Sequence, residues 1–69
     1  MRDHLERLVS DMLEKGLHYE DVRREFEKLS ITRALQRTKG CVGDAADLLG
    51  VHRNTIARKI AEYRIKRGN

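Results

Sequence analysis

The run Gly43-Asp44-Ala45-Ala46-Asp47-Leu48-Leu49-Gly50-Val51-His52-Arg53-Asn54-Thr55-Ile56-Ala57-Arg58-Lys59-Ile60 decides how this chain folds. A small Ala46 stands four residues before Gly50, and the apolar Ile56 stands six after it. Two short helices that cross steeply need a small side chain where their backbones meet, and glycine in the turn takes a positive φ without steric cost. Val51 and Ile56 are expected to fill the wedge between the two helices. The second helix carries Arg53, Asn54 and Arg58, whose side chains suit base edges and phosphates. An ordinary helical hairpin with a basic outer face is the competing reading. The combination of spacing and side chains favours a helix-turn-helix that docks on DNA.

Working back toward the N-terminus, Leu5, Leu8, Val9, Met12 and Leu13 recur as one apolar stripe, which predicts a helix from about Asp3 to Lys15. Gly16 suits a left-handed cap at its end. Acidic Glu20 and Asp21 then open a second helix expected to reach Thr38 or Lys39 and to stop at Gly40. That helix has two apolar faces. Tyr19, Val22, Phe26 and Leu29 form the first; Ile31, roughly 200° round from Leu29, begins the second with Ala34, Leu35 and Thr38. Two faces imply two packing partners: helix one and a second chain for the first half, the helix-turn-helix for the second. The alternative is a break near Ser30, whose hydroxyl could cap a new helix.

A third helix is expected from Gly43 or Asp44 to Leu49. A fourth should run from His52 or Arg53 to Ile65, with Ile56, Ile60 and Tyr63 inward and Arg53, Asn54, Ala57, Arg58 and Ala61 outward. No segment alternates with period two for long enough to argue a sheet, so the expected class is all-α with four helices. Residues 1–40 are read as dimerisation helices and 41–69 as the helix-turn-helix, within one compact domain.

Sixty-nine residues make a core near the lower limit for standing alone. The single cysteine, Cys41, allows no internal disulfide, and no Cys/His cluster has metal-ligand spacing. The missing burial is expected to come from a second copy, through Leu5, Leu8, Met12, Val22 and Phe26. Residues 1–32 hold six Lys/Arg against eight Asp/Glu, whereas residues 33–69 hold nine against three. That asymmetry suggests that one half packs and the other meets polyanion. No signal peptide or spanning stretch is evident, so a cytoplasmic location is expected. Nothing in the chain has the pattern of an enzyme: there is no glycine-rich phosphate loop and no nucleophile with an evident base. No cofactor, metal, membrane or small-molecule substrate is expected.

The pattern Ala45-Ala46 … Leu49-Gly50-Val51, followed by Arg53 … Thr55-Ile56 … Lys59, with Phe26-Glu27-Lys28-Leu29 and Thr38-Lys39-Gly40 before it, resembles the Fis-type DNA-binding domain. That domain is found in the nucleoid protein Fis and at the C-terminus of NtrC-like activators. The resemblance implies a homodimer whose first two helices interlock as an intertwined four-helix bundle, with a helix-turn-helix on each side. It also implies that duplex DNA bends to meet both recognition helices, in transcription regulation or nucleoid organisation. On this resemblance His52, Arg53, Asn54 and Thr55 fall where the family contacts bases and phosphates, and Arg58 and Lys59 where it places cations along the groove. Cys41 replaces a common asparagine, and Gly43 stands where Ser or Thr often begins the third helix. The chain is expected to lack the mobile hairpin arms of Fis, and with them its stimulation of recombination. A helical adaptor binding an acidic protein is the alternative function.

Among single residues, Arg53 is expected to read guanine and Asn54 to meet adenine or satisfy the helix start. Thr55, Arg58, Lys59, Arg64, Lys66 and Arg67 are expected nearer phosphate. His52 is expected to cap the helix or touch phosphate. Cys41 is expected to be a partly buried small hydrophobe.

Overall fold

The computed structural model describes residues 1–67 and, among them, four α-helices and no strand. They are α1 (Arg2–Glu14), α2 (Tyr19–Arg37), α3 (Val42–Leu49) and α4 (Arg53–Tyr63). The last two residues of the 41–69 segment lie outside the described part. α2 is continuous: Ser30 Oγ donates to the Phe26 carbonyl one turn back at 2.7 Å, within the same helix, and caps no new one.

The core is small and lies at one end. Ile31, Ala34 and Leu35 of α2 meet Ala45 and Ala46 of α3 and Ile56 and Ile60 of α4, with Val42, Leu49 and Ile65 packed around them. All three buried residues of α2 lie in its second half, on the stripe that begins at Ile31. This core crosses the 40/41 division, so the second half of α2 belongs physically with the helix-turn-helix. Ala45 and Ala46 are essentially inaccessible, as a steep crossing of closely spaced backbones requires.

α1 buries nothing. The Cα radius of gyration is 13.4 Å, against about 11 Å for a compact chain of this length. Leu5, Leu8 and Phe26 are exposed, while Met12 and Val22 are partly covered. The apolar stripe of α1 and the first stripe of α2 therefore stand open in the single chain.

Each helix ends with the same device. In each, an amide that follows a single turn residue bonds back to the carbonyl five positions earlier: Leu17 to Met12 (2.9 Å), Gly40 to Leu35 (2.8 Å), Val51 to Ala46 (3.0 Å) and Ile65 to Ile60 (3.0 Å). The residue between must turn left-handed. Gly16 (φ 67°) and Gly50 (φ 71°) do so without a Cβ to clash, but Lys39 and Arg64, both at φ 55°, do so with one. This turn explains why α4 stops at Tyr63 instead of running to Ile65: Ile65 leaves the helix and folds back on the core.

Three other expectations change. α3 begins at Val42, one residue before Gly43, because Val42 packs on the core and draws the helix start with it; Cys41 takes the N-cap position. Cys41 itself is exposed. Val51 does not fill the wedge; it remains 42 % exposed because the turn at Gly50 carries it out, and Ile56 is buried there instead.

Arg64→Gly is expected to raise stability by up to about 1 kcal/mol. Relief of the left-handed Cβ penalty, about 1–2 kcal/mol, outweighs glycine's greater unfolded-state entropy. In a domain of this size that corresponds to a melting temperature higher by roughly 4–8 °C by far-UV circular dichroism.

Candidate nucleic-acid interface

α4 projects from the core with one side outward. Arg53, Ala57 and Ala61 are spaced one turn apart, Asn54 and Arg58 lie beside them, and all five are exposed. His52 is the N-cap, in extended backbone at φ −71° and ψ 143°. Its Nδ1 accepts a hydrogen bond from the Asn54 amide at 3.0 Å, satisfying one of the free donors of the first turn. The ring thus serves the helix through Nδ1 and leaves its other nitrogen toward solvent. The first turn of α4 carries no acidic side chain that would repel phosphate.

Arg53 is held close to α3. Its Cδ lies 3.7 Å from where a Cβ at Gly43 would stand, so its stem has room beside the glycine that occupies the second position of α3. Ala57 and Ala61 keep the outward surface low enough for a groove edge to approach.

The six site residues predicted from sequence divide into two groups. His52, Arg53, Asn54 and Arg58 share the exposed surface. Thr55 and Lys59, one turn apart, face α2 instead. Thr55 is half-buried beside a hollow lined by Phe26, Ile31, Leu49, Val51 and Ile56. The Lys59 ammonium lies 3.1 Å from both carboxylate oxygens of Glu27 and 6.0 Å from the Tyr63 ring centre.

Glu27 is the hub of this side. Besides Lys59 it accepts from the Tyr63 hydroxyl on α4 and, at 3.1 Å, from Arg23 one turn earlier on α2. The Tyr63 hydroxyl first, then the Lys59 ammonium, hold the Glu27 carboxyl below its ordinary range; the same bond and partial burial raise the Tyr63 phenol. Sequence reading missed Glu27, since 32 residues separate it from Lys59 and no local pattern links them.

A lowered carboxyl binds fewer protons in the folded chain than in the unfolded one. The stability it contributes is complete above the ordinary carboxylate value, about pH 4, and is lost as pH falls through the folded value. Glu27→Gln is accordingly expected to flatten the acid side of a plot of melting temperature against pH, with the two proteins converging only once the folded Glu27 carboxyl is protonated. Exposed pairs such as Arg24–Asp21 add little to that slope.

A second basic feature joins distant parts of the chain. Lys28 of α2 and Lys39 in the turn after it stand with Arg64, Lys66 and Arg67 around a shallow groove floored by Leu35, Tyr63 and Ile65. Among the described residues, no carboxylate lines it.

Compared with known families, residues 22–63 match the model of the bacterial regulatory proteins of the Fis family. The match covers well over half of the chain. This chain belongs to that family. It carries a DNA-binding regulatory helix-turn-helix, in which α3, the Gly50 turn and α4 form the motif and α2 its platform. The matched segment begins inside α2, so α1 lies outside it; of the five residues expected to mediate dimerisation, Val22 and Phe26 fall within it. No curated protein and no solved structure matches the chain. No described helix of this Fis-family chain is long and apolar enough to cross a membrane.

Proposed function

We propose that this Fis-family chain works as a homodimer that binds and bends duplex DNA, regulating transcription or organising the nucleoid in the bacterial cytoplasm. The observation that carries the DNA-reading part is the exposed row of His52, Arg53, Asn54 and Arg58 on the helix after the Gly50 turn. Arg53 reads a guanine edge, Asn54 meets a base or the groove wall, and Arg58 takes a phosphate. Thr55 and the cations of the Lys28–Lys39–Arg64 groove meet backbone that curves toward α2. The dimer part is supported by the open apolar stripe of α1 and by Phe26: Leu5, Leu8, Val9, Leu13 and Phe26 are all exposed in the single chain, the kind of apolar surface that marks an interaction site. Bending follows from a dimer whose paired recognition helices are set closer than successive major grooves, and a bent site discriminates through the stiffness of bases that no side chain touches.

Duplex affinity measured across a salt series tests the reading. Arg53→Ala is expected to compress the ratio between preferred and random sites by about 1–3 kcal/mol. Arg58→Ala should weaken all sites alike and lower the salt slope by about 0.9. Binding to mixed-sequence duplex no stronger than to an acidic peptide would favour the adaptor function instead.

A further inference from the structure

Among the described residues, the side-chain hydrogen bonds that join one helix to another all end on Glu27. Its two partners on α4, Lys59 and Tyr63, are one turn apart, so a single carboxylate on α2 grips α4 at two heights. A helix held at two points on one side cannot roll about its axis without breaking a bond. The roll angle is what carries Arg53, Asn54 and Arg58 to the outside.

The same grip removes a cation from the surface. The Lys59 side chain is 22 % exposed and the Glu27 side chain 26 %, so the pair is largely sheltered from solvent and from salt. Arg58, the preceding residue, is exposed. An ammonium between two carboxylate oxygens at 3.1 Å already has the environment that a DNA phosphate would give it. Tyr63 and Arg23 complete the carboxylate's hydrogen bonding, so Glu27 is not free to swing away with the lysine.

We propose that Glu27 is a positioning residue for DNA recognition: it fixes the roll of α4 and withholds the Lys59 ammonium from the duplex. This rests on the DNA-binding reading above. Its consequence is selective. One fewer sequence-independent contact weakens random sites and preferred sites equally, while the fixed roll benefits only sites where Arg53 meets its base. The internal carboxylate therefore keeps the sequence-independent part of binding low.

The test is the slope of log affinity against log salt for the full chain on a random-sequence duplex, with helical content checked by circular dichroism. Lys59→Met is expected to leave the slope unchanged. Glu27→Gln keeps an acceptor for Tyr63 but releases the ammonium, and should steepen the slope by about 0.9, an extra loss of roughly 3.5-fold between 50 and 200 mM salt. The double variant Glu27→Gln/Lys59→Met should return to the original slope. Tyr63→Phe, which removes one grip without freeing the lysine, should narrow the ratio of preferred to random affinity at unchanged slope. A slope lowered by about 0.9 in Lys59→Met alone would mean that Lys59 reaches phosphate despite Glu27 and would overturn the inference while leaving the DNA reading intact. An unchanged slope in Glu27→Gln would do the same. Absence of salt-dependent binding by the unsubstituted chain would overturn both.

Discussion

Phe26→Asp is expected to turn a dimer into a monomer in sedimentation at micromolar concentration, and to weaken DNA binding by roughly 10²–10⁴-fold. Phe26 is 59 % exposed in the single chain, so its ring contributes little to the fold of one copy. In the proposed dimer it is covered, and an aspartate in its place would bring an unpaired charge into the interface. The loss in affinity follows because two recognition helices on one rigid body bind nearly as a single event, whereas two separate monomers must each find the duplex. Phe26→Ala separates the alternatives. If the dimer is correct, its melting temperature should drop by an amount that depends on protein concentration. A drop of the same size at all concentrations would place Phe26 in the monomer's own packing and remove the main support for the dimer.

Leu35→Ala is expected to unfold the DNA-binding unit. Leu35 is the largest fully buried side chain and lies where α2 meets the helix-turn-helix. Truncating a buried leucine costs about 2–5 kcal/mol. A core of seven buried residues, three of them alanine, has little stability to lose. The variant should show strongly reduced helicity at 37 °C and no specific DNA binding, with both partly restored by Leu35→Met, which keeps the volume. Leu8→Ala, on the exposed stripe of α1, should by contrast leave the helicity of α2 to α4 intact. Equal effects of the two substitutions would mean that the core is not where the structure puts it.

Most of the helix-turn-helix was legible because its signals are local. Ala46 and Gly50 at fixed spacing demand a close crossing and a left-handed turn, and both are present, at near-zero exposure and φ 71°. The two stripes of α2 were legible because helical periodicity assigns each residue to a face, and Ile31, Ala34 and Leu35 do form the platform. The outward row of Arg53, Asn54, Ala57, Arg58 and Ala61 follows from the same arithmetic. Helix ends were less legible: the α4 terminus depends on a left-handed Arg64, a residue type with no preference for that conformation, held there by the burial of Ile65.

The sequence by itself determined the four helices, the motif and the small residues at its crossing, because each depends on side chains within about two turns of one another. What Lys59 does was decided only by tertiary structure. Its neighbours in sequence mark it as one more cation beside Arg58, yet packing α4 across α2 brings it to a carboxylate 32 residues away. The meeting of Lys28 and Lys39 with Arg64, Lys66 and Arg67 has the same origin. Charge and periodicity along a chain report which face a residue occupies; only the crossing of two helices sets which opposite charge that face meets.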